Sequence, residues 1–322
     1  MSFKNEINFK NFDDLGDCIR KNIQKLPNDI SLVVGVPRSG MVPAYMVGLH
    51  LNLPVTDLAS FIDERPVTGG ARFVEKVEYK KILIVDDSIQ SGSQLKKVKE
   101  KLQKFTQYEF IYLAIFGSEQ NSELCNYCFE IVGSPRAFEW NILHSHWLFE
   151  YSCLDIDGVI CEDPSEEEND DGDNYRHFLL NATPKYLPKS NVLALVTSRL
   201  EKYRPETEEW LRKHNVLYKE LIMLDLPNRN TRMKLGNHGT HKAKHYLDNK
   251  NAILFIESSK HQSSQIFELT QKPVFSVEEM LFFKAKEKNN SFSKSKLSKL
   301  KGRISYKNIK KKIRNQLKNF NL

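Results

Sequence analysis

Two pairs of aspartates, each at the end of a short apolar run, are the residues of this chain best suited to chemistry. The first pair stands in Lys81-Ile-Leu-Ile-Val-Asp86-Asp87-Ser88-Ile89-Gln90-Ser91-Gly92-Ser93. Residues 82–85 are apolar and mostly β-branched, and read as a buried strand. The hydroxyl residues and glycine that follow form a loop whose backbone N–H groups can converge on an anion, ahead of a helix over about 94–104. Acids for ribose hydroxyls and amides for a phosphate suit a sugar phosphate. An acidic turn capping an ordinary helix is the plain alternative. The second pair lies in Tyr151-Ser-Cys-Leu-Asp155-Ile-Asp157-Gly158-Val159, again a strand that ends in acids. Asp-x-Asp-Gly by itself also fits a calcium loop.

Other segments must complete these sites. Ser31-Leu-Val-Val-Gly35-Val-Pro37-Arg38-Ser39-Gly40-Met-Val-Pro43 reads as a strand, a Pro/Gly turn and a helix over about 43–51. Gly35 and Gly40 permit close backbone approach, and Arg38 offers a charge to a phosphate. The run from Lys81 to Ser93 resembles the phosphoribosyl pyrophosphate (PRPP) motif of type I phosphoribosyltransferases, and the Gly35–Pro43 turn resembles their pyrophosphate loop. The resemblance implies PRPP as donor, bound through Arg38, Ser39, Gly40, Ser88, Ile89, Gln90, Ser91, Gly92 and Ser93. It also implies Asp86 and Asp87 at the ribose and Mg²⁺ with the departing pyrophosphate. Residues 61–76 stand where such enzymes carry a mobile loop that closes over PRPP. Arg72 is the preferred loop cation, with Arg65 and Lys76 beside it; a plain hairpin turning at Thr68-Gly69-Gly70 is the alternative.

Residues 134–147 are dense in polar and aromatic side chains. Trp140 and Trp147 are candidates to stack on a sugar, and Glu139 or His144 to act as general base toward an acceptor hydroxyl. Packing of a seam between domains is the simpler account. His144 and His146, two apart, do not share a helix face, which argues against a metal pair.

The second half resembles the haloacid dehalogenase (HAD) superfamily of aspartate-nucleophile phosphatases. The resemblance implies Asp155 as nucleophile, Asp157 as general acid, and Thr197-Ser198-Arg199, after an apolar strand, as the phosphate-binding motif. It implies Lys242 as the restraining cation, with Lys244 a weaker candidate. It further implies a Mg²⁺ site from Asp155, the backbone of Ile156 or Asp157, and Glu257, where Glu257-Ser258 replaces the acid pair usual in that superfamily. The insert between the first two motifs is short, with an acidic stretch at 162–173, which implies a small cap and an open site.

Composition sets bounds on these readings. The chain has 322 residues, 40% of them hydrophobic, enough for two ordinary cores. It shows neither a membrane-spanning apolar run nor a secretion signal, and its five scattered cysteines read as free thiols, so a cytoplasmic protein is expected. The net charge of +7 is uneven: residues 284–322 hold fourteen Lys/Arg against one acid, which leaves the first 283 residues at −6. That is not the pattern of a nucleic-acid binder, and none is expected as partner. Within the tail, Ile304, Ile309, Ile313, Leu317 and Phe320 recur at near-helical spacing among lysines. Such a helix suits an anionic membrane surface or a partner protein; a solvated tail is the alternative.

The expected fold class is α/β. Two doubly wound, Rossmann-like domains are anticipated, a phosphoribosyltransferase domain over 1–148 and a HAD-like domain with a small cap over 149–283, followed by a basic tail over 284–322. A transferase whose product carries a 5-phosphate, next to a phosphomonoesterase, resembles the ribofuranosyl-transfer modules of bacterial polysaccharide and capsule assembly. The resemblance implies a glycan or polyol acceptor, a glycosyltransferase partner, and work at the inner face of the cytoplasmic membrane. Two alternatives stay open: a nucleobase phosphoribosyltransferase fused to a phosphatase, and a PRPP-sensing regulator.

Overall fold

Alternation along the apolar strands decides the layering. The computed structural model describes residues 7–65, 67, 79–235 and 238–285. The first strands are β1 (Asn8–Lys10), β2 (Leu32–Gly35), β3 (Val55–Asp57), β4 (Lys81–Ser88), β5 (Glu109–Gly117), β6 (Tyr127–Ile131) and β7 (Arg136–Phe138). Five of them form a parallel sheet in the order β3-β2-β4-β5-β6, while β1 pairs with β7 apart from it. Val33, Leu83 and Val85 face helices Phe12–Asn22 and Met41–Leu51 through Leu15, Ile19 and Val47. Leu32, Val34, Ile82 and Ile84 face the other way, onto Val98 and Leu102 of helix Ser93–Leu102. Successive strand residues point to opposite faces, so near-continuous apolar runs require a layer on each side.

The second sheet follows the same logic. It contains β8 (Ser152–Leu154), β9 (Val192–Leu200), β10 (Tyr218–Leu224), β11 (Leu254–Glu257), β12 (Val274–Ser276) and β13 (Leu281–Phe283). Their order is β10-β9-β8-β11-β12-β13, parallel except for β13. Leu154, Leu195 and Ile256 pack toward Trp210 and Leu211 of helix Arg204–Lys213. Cys153, Val196 and Phe255 pack toward Tyr246 and Ile266, on helices His238–Asp248 and Lys260–Thr270.

The chain is therefore α/β with two mostly parallel sheets, and the described residues up to Lys284 hold together as one compact unit. Apolar packing joins the two sheets. Ile142, Leu143, Leu148 and Phe149 of the connecting segment belong to the core of the second sheet, and Phe9 stacks on Phe282 at 4.4 Å. Ser190, just before β9, donates to the His146 carbonyl at 3.0 Å, which puts the amino edge of the second sheet at this seam.

Element boundaries differ from expectation by a few residues. β4 runs on to Ser88 because the longer β5 continues to offer partners, as far as Ser88 opposite Phe116. The acids thus stand inside the strand rather than after it. The following helix spans Ser93–Leu102, and the earlier one starts at Met41. All five cysteines are free, and no helix among the described residues is long and apolar enough to cross a membrane. Arg72, Lys76, the 68–70 turn and residues 286–322 lie outside the described residues.

Candidate active sites

At the first sheet, sequence-distant groups hold Asp87. Its carboxylate is buried, accepting from the Ser39 hydroxyl at 2.8 Å and the Trp140 indole N–H at 2.6 Å. Asp86 accepts the Asp87 amide at 3.0 Å, and burial, together with the charge of Asp87, pushes its carboxyl up to about 8. Gly40 lies against this pair: a Cβ there would stand 2.9 Å from Asp86 Oδ1 and 2.6 Å from the Val36 carbonyl. Only glycine allows that approach.

The loop over residues 88–93 lines, with Asp86, a cavity of about 200 Å³. Its carbonyls are drawn away from that space. Arg136 Nη2 donates to the Ile89 carbonyl at 2.6 Å, while Ser118 Oγ and Asn121 Nδ2 donate to that of Gln90 at 3.0 and 2.5 Å. Among the described residues, the N–H groups of Gln90, Ser91 and Gly92 donate to no protein acceptor. Gly92 has φ 74°, in the left-handed region, and the Ser91 and Ser93 hydroxyls bond each other. Free amides, two hydroxyls and the start of a helix make an anion nest.

Arg136, Ser118 and Asn121 were not singled out from sequence, and their spacing carries no signal, because each acts through a backbone carbonyl far along the chain. Arg136 is buried with Nε and Nη1 unpartnered, and burial lowers its pKa. Arg38 is exposed at the carboxyl edge, 3.4 Å from Asn141 Oδ1. Arg65 is paired with Asp63 at 2.7 Å. Two aromatic and acidic candidates have other work than expected. Trp140 is spent on Asp87 and stacks on Phe138 at 5.1 Å, which does not leave it free for a sugar, and Glu139 accepts the Phe12 amide at 3.0 Å.

At the second sheet, β8, β9 and β11 bring Asp155, Thr197 and Glu257 to their carboxyl ends, where open parallel sheets place ligands. Lys242 Nζ reaches the buried Asp155 Oδ2 at 2.6 Å and Glu257 Oε2 at 2.8 Å, and the half-buried Gln262 Oε1 at 3.0 Å. Burial works against the Lys242 charge, but the two carboxylates outweigh it and raise its pKa. Burial likewise raises Asp155 well above the usual carboxylate range, against Lys242 and with Glu257. Lys244, two positions on, is exposed.

One expectation needs correction. Arg199 is fully buried and grips Asp157, with Nη2 at 2.6 Å and Nε at 3.1 Å from Oδ1, so its guanidinium does not face a phosphate. For the same reason the Asp157 carboxylate does not join Asp155 and Glu257 as a ligand set. Among the described residues, no group of three or more His, Cys, Asp or Glu is placed to hold a metal ion. Thr197 is buried, and its hydroxyl accepts the Arg199 amide at 3.2 Å.

Asp155, Asp157, Ser198 and Lys242 line a cavity of about 140 Å³ together with Arg232 and His238, which were not anticipated. Arg232 is almost buried; Nη1 donates to the Ser198 carbonyl at 3.1 Å and Nε has no partner. Burial, then Arg232 and Lys242, push His238 down to about 4, so it is neutral at pH 7. An ammonium and a guanidinium beside a carboxylate can balance the charge of an anion in this cavity.

Comparison with known proteins bears on the first of these sites. Residues 8–140 match the model of the phosphoribosyl transferase domain. No curated protein matches the chain. The chain is similar to a purine phosphoribosyltransferase from Pyrococcus horikoshii Ot3, with 20% identity, 41% of this chain and 92% of that one covered, and a TM-score of 0.32. It is similar also to a Helicobacter pylori xanthine-guanine-hypoxanthine phosphoribosyltransferase (19%, 42% and 93%, TM-score 0.34). A third is orotate phosphoribosyltransferase from Aeropyrum pernix (20%, 37% and 70%, TM-score 0.28). The N-terminal part of this chain is a phosphoribosyl transferase domain, which supports phosphoribosyl transfer as its activity.

Proposed function

We propose that the protein transfers 5-phosphoribosyl from PRPP to a hydroxyl of a glycan or polyol, releasing pyrophosphate, and then hydrolyses the 5-phosphate. The setting is bacterial polysaccharide assembly, with a β-ribofuranose as the finished unit. The observation that carries this reading is the presence, in one compact unit, of an amide nest below Asp86–Asp87 and a buried Asp155–Lys242–Glu257 cluster.

In the first step the 5-phosphate sits in the loop, taking the free amides of Gln90, Ser91 and Gly92. Asp86 and Asp87 orient the ribose hydroxyls, with Asp87 fixed by Ser39 and Trp140. As the C1–oxygen bond to pyrophosphate breaks, positive charge develops on the ribose and negative charge on the leaving group. Arg38, Ser39 and Gly40 face the latter, and the acceptor oxygen attacks C1 from the opposite side. In the second step Asp155 attacks phosphorus, Lys242 and Arg232 balance the phosphoryl charge, and Thr197 and Ser198 bind its oxygens. Asp157, steered by Arg199, gives a proton to the leaving ribose oxygen, then takes one from the water that attacks the aspartyl phosphate and releases phosphate and free Asp155.

A divalent cation such as Mg²⁺, when bound, would supply neutralising charge to pyrophosphate and phosphoryl groups. The Asp155 and Glu257 carboxylates outnumber the Lys242 ammonium, and this hard-oxygen pair suits an ion that keeps several waters. The basic tail would hold the protein, peripherally, at an anionic inner membrane face beside a partner glycosyltransferase.

The test incubates the protein with PRPP, Mg²⁺ and a panel of glycans and polyols, followed by mass spectrometry. Wild type should add a pentose, and Asp155→Asn a phosphopentose. Release of dephosphorylated product by Asp155→Asn at the normal rate would rule out the assignment of Asp155. Consumption of a nucleobase, seen by ultraviolet absorption, would instead support a salvage transferase.

A further inference from the structure

We propose that Arg136 is a positioning residue of the transfer site and sets its preference for a phosphate dianion. Its buried charge acts through the peptide between Ile89 and Gln90, aiming and strengthening an N–H that takes the 5-phosphate. This rests on the placing of the 5-phosphate in the loop over residues 88–93, and it names what makes that loop select the charge of its ligand.

Arg136 is a buried charge without a counter-charge. Five cations are buried among the described residues: Arg136, Arg199, Arg232, Lys242 and Lys272. Arg199 has Asp157, and Lys242 has Asp155 and Glu257. Lys272 donates to the Tyr246 and Asn249 carbonyls, and Arg232 to the Ser198 carbonyl and the Asn169 side chain. Arg136, 4% exposed, makes a single hydrogen bond, and no acid among the described residues pairs with it. A guanidinium does not shed its proton in a protein, so burying it is costly unless an anion stands close. Asp87 acts on it only at a distance, its carboxylate being taken by Ser39 and Trp140.

That single bond is aimed at the loop. Arg136 Nη2 donates to the Ile89 carbonyl at 2.6 Å, and the same peptide unit carries the Gln90 N–H, which has no protein acceptor among the described residues. Ile89 and Gln90 both line the cavity. This peptide is trans, so its carbonyl and N–H point opposite ways. A cation at the oxygen therefore polarises the unit and turns its N–H toward the space on the other side. An anion that accepts this N–H is the missing counter-charge. Ser118 and Asn121 hold the next carbonyl, that of Gln90, in the same way but bring no charge. Backbone pairing fixes Arg136 from behind: β7 pairs with β1, Asn8 lies opposite Arg136, and the Asn8 N–H donates to the Pro135 carbonyl at 2.9 Å. The strand does not need the guanidinium to stay in place.

The experiment titrates ribose 5-phosphate, largely a dianion at pH 7, and ribose 5-sulfate, a monoanion of nearly the same shape, into the full chain by calorimetry. Wild type is compared with Arg136→Gln, which keeps an N–H donor for the Ile89 carbonyl but no charge, and with Arg136→Lys, which keeps the charge. The ratio of affinities, phosphate over sulfate, should fall by about fivefold or more in Arg136→Gln and stay within about twofold of wild type in Arg136→Lys. Arg136→Met takes the place of Arg136→Gln if the latter does not fold. A merely structural loosening of the loop weakens both esters alike and leaves the ratio where it was. An unchanged ratio with both esters bound, or an equal fall in Arg136→Lys, overturns this inference alone. If wild type binds neither ester, the 5-phosphate reading of the loop fails and takes the inference with it.

Discussion

Replacing Lys242 with Met should destabilise the second sheet through electrostatics rather than packing. Methionine nearly matches the lysine stem in length and removes only the ammonium. Lys242 Nζ lies 2.6 Å from Asp155 and 2.8 Å from Glu257, with the three side chains 2%, 6% and 0% exposed. At an effective dielectric near 20, each contact at such distances amounts to roughly 6 kcal/mol of attraction. Most of it is offset by the cost of desolvating three charges, and breaking a buried pair on one side typically costs about 3–5 kcal/mol. Urea unfolding, followed by tryptophan fluorescence in which the buried Trp210 reports on this half, should show a midpoint lower by about 1–2 M. The deficit should depend on pH with a defined sign. Burial raises Asp155 and Lys242 holds it down, so removing the ammonium raises it further and the variant loses stability as pH rises above the usual carboxylate range. Without Lys242 the loss should be greatest near pH 8 and shrink toward pH 5. Adding Glu257→Gln to the variant should recover part of it. A Lys242→Met protein as stable as wild type at both pH values, or a second substitution that only deepens the loss, would refute the reasoning.

Three further outcomes follow from the geometry. Asp86→Asn removes a carboxyl whose pKa is raised from 3.8 to about 8, so the wild-type destabilisation it relieves builds between those values: the variant should melt higher than wild type at pH 8, equally at pH 4, and transfer poorly. Trp140→Phe keeps the ring but removes the N–H on Asp87, leaving a buried carboxylate oxygen short of a donor at a cost of about 1–3 kcal/mol; calorimetry should show lower stability, and kinetics a raised KM for PRPP. The transfer site opens at the carboxyl edge of the first sheet and the seam meets the amino edge of the second, so Asp155, level with Val196, stands about 20 Å beyond Ser190 at roughly 3.3 Å per residue. A mixture of Asp86→Asn and Asp155→Asn proteins should therefore form finished product in trans; failure to do so at any ratio would mean the phosphorylated product never leaves its protein.

Much of this was legible in one dimension because local rules carried it. Apolar runs of β-branched residues specify buried strands, and acids or hydroxyls at their ends specify the edge where a ligand binds. That is enough for the α/β class and for Asp86–Asp87 above a loop of amides, which depend on strand ends meeting at a common edge; Asp155, Glu257 and Lys242, the last on helix His238–Asp248, were grouped only by what the resemblance implies. Which partner a charged side chain takes is a different matter, since it depends on the few ångströms between elements far apart in sequence. Arg199 was expected at the phosphate and Arg232 was not, yet packing turned the first inward onto Asp157 and left the second lining the cavity. Trp140 looked like a stacking platform, and the fold spent its N–H on a carboxylate fifty-three positions away. The pinning of the loop carbonyls by Arg136, Ser118 and Asn121 exists only where surfaces meet. Period and residue type determine which elements form and what chemistry they carry; the desolvation and pairing that decide which charges remain free arise only once those elements are packed.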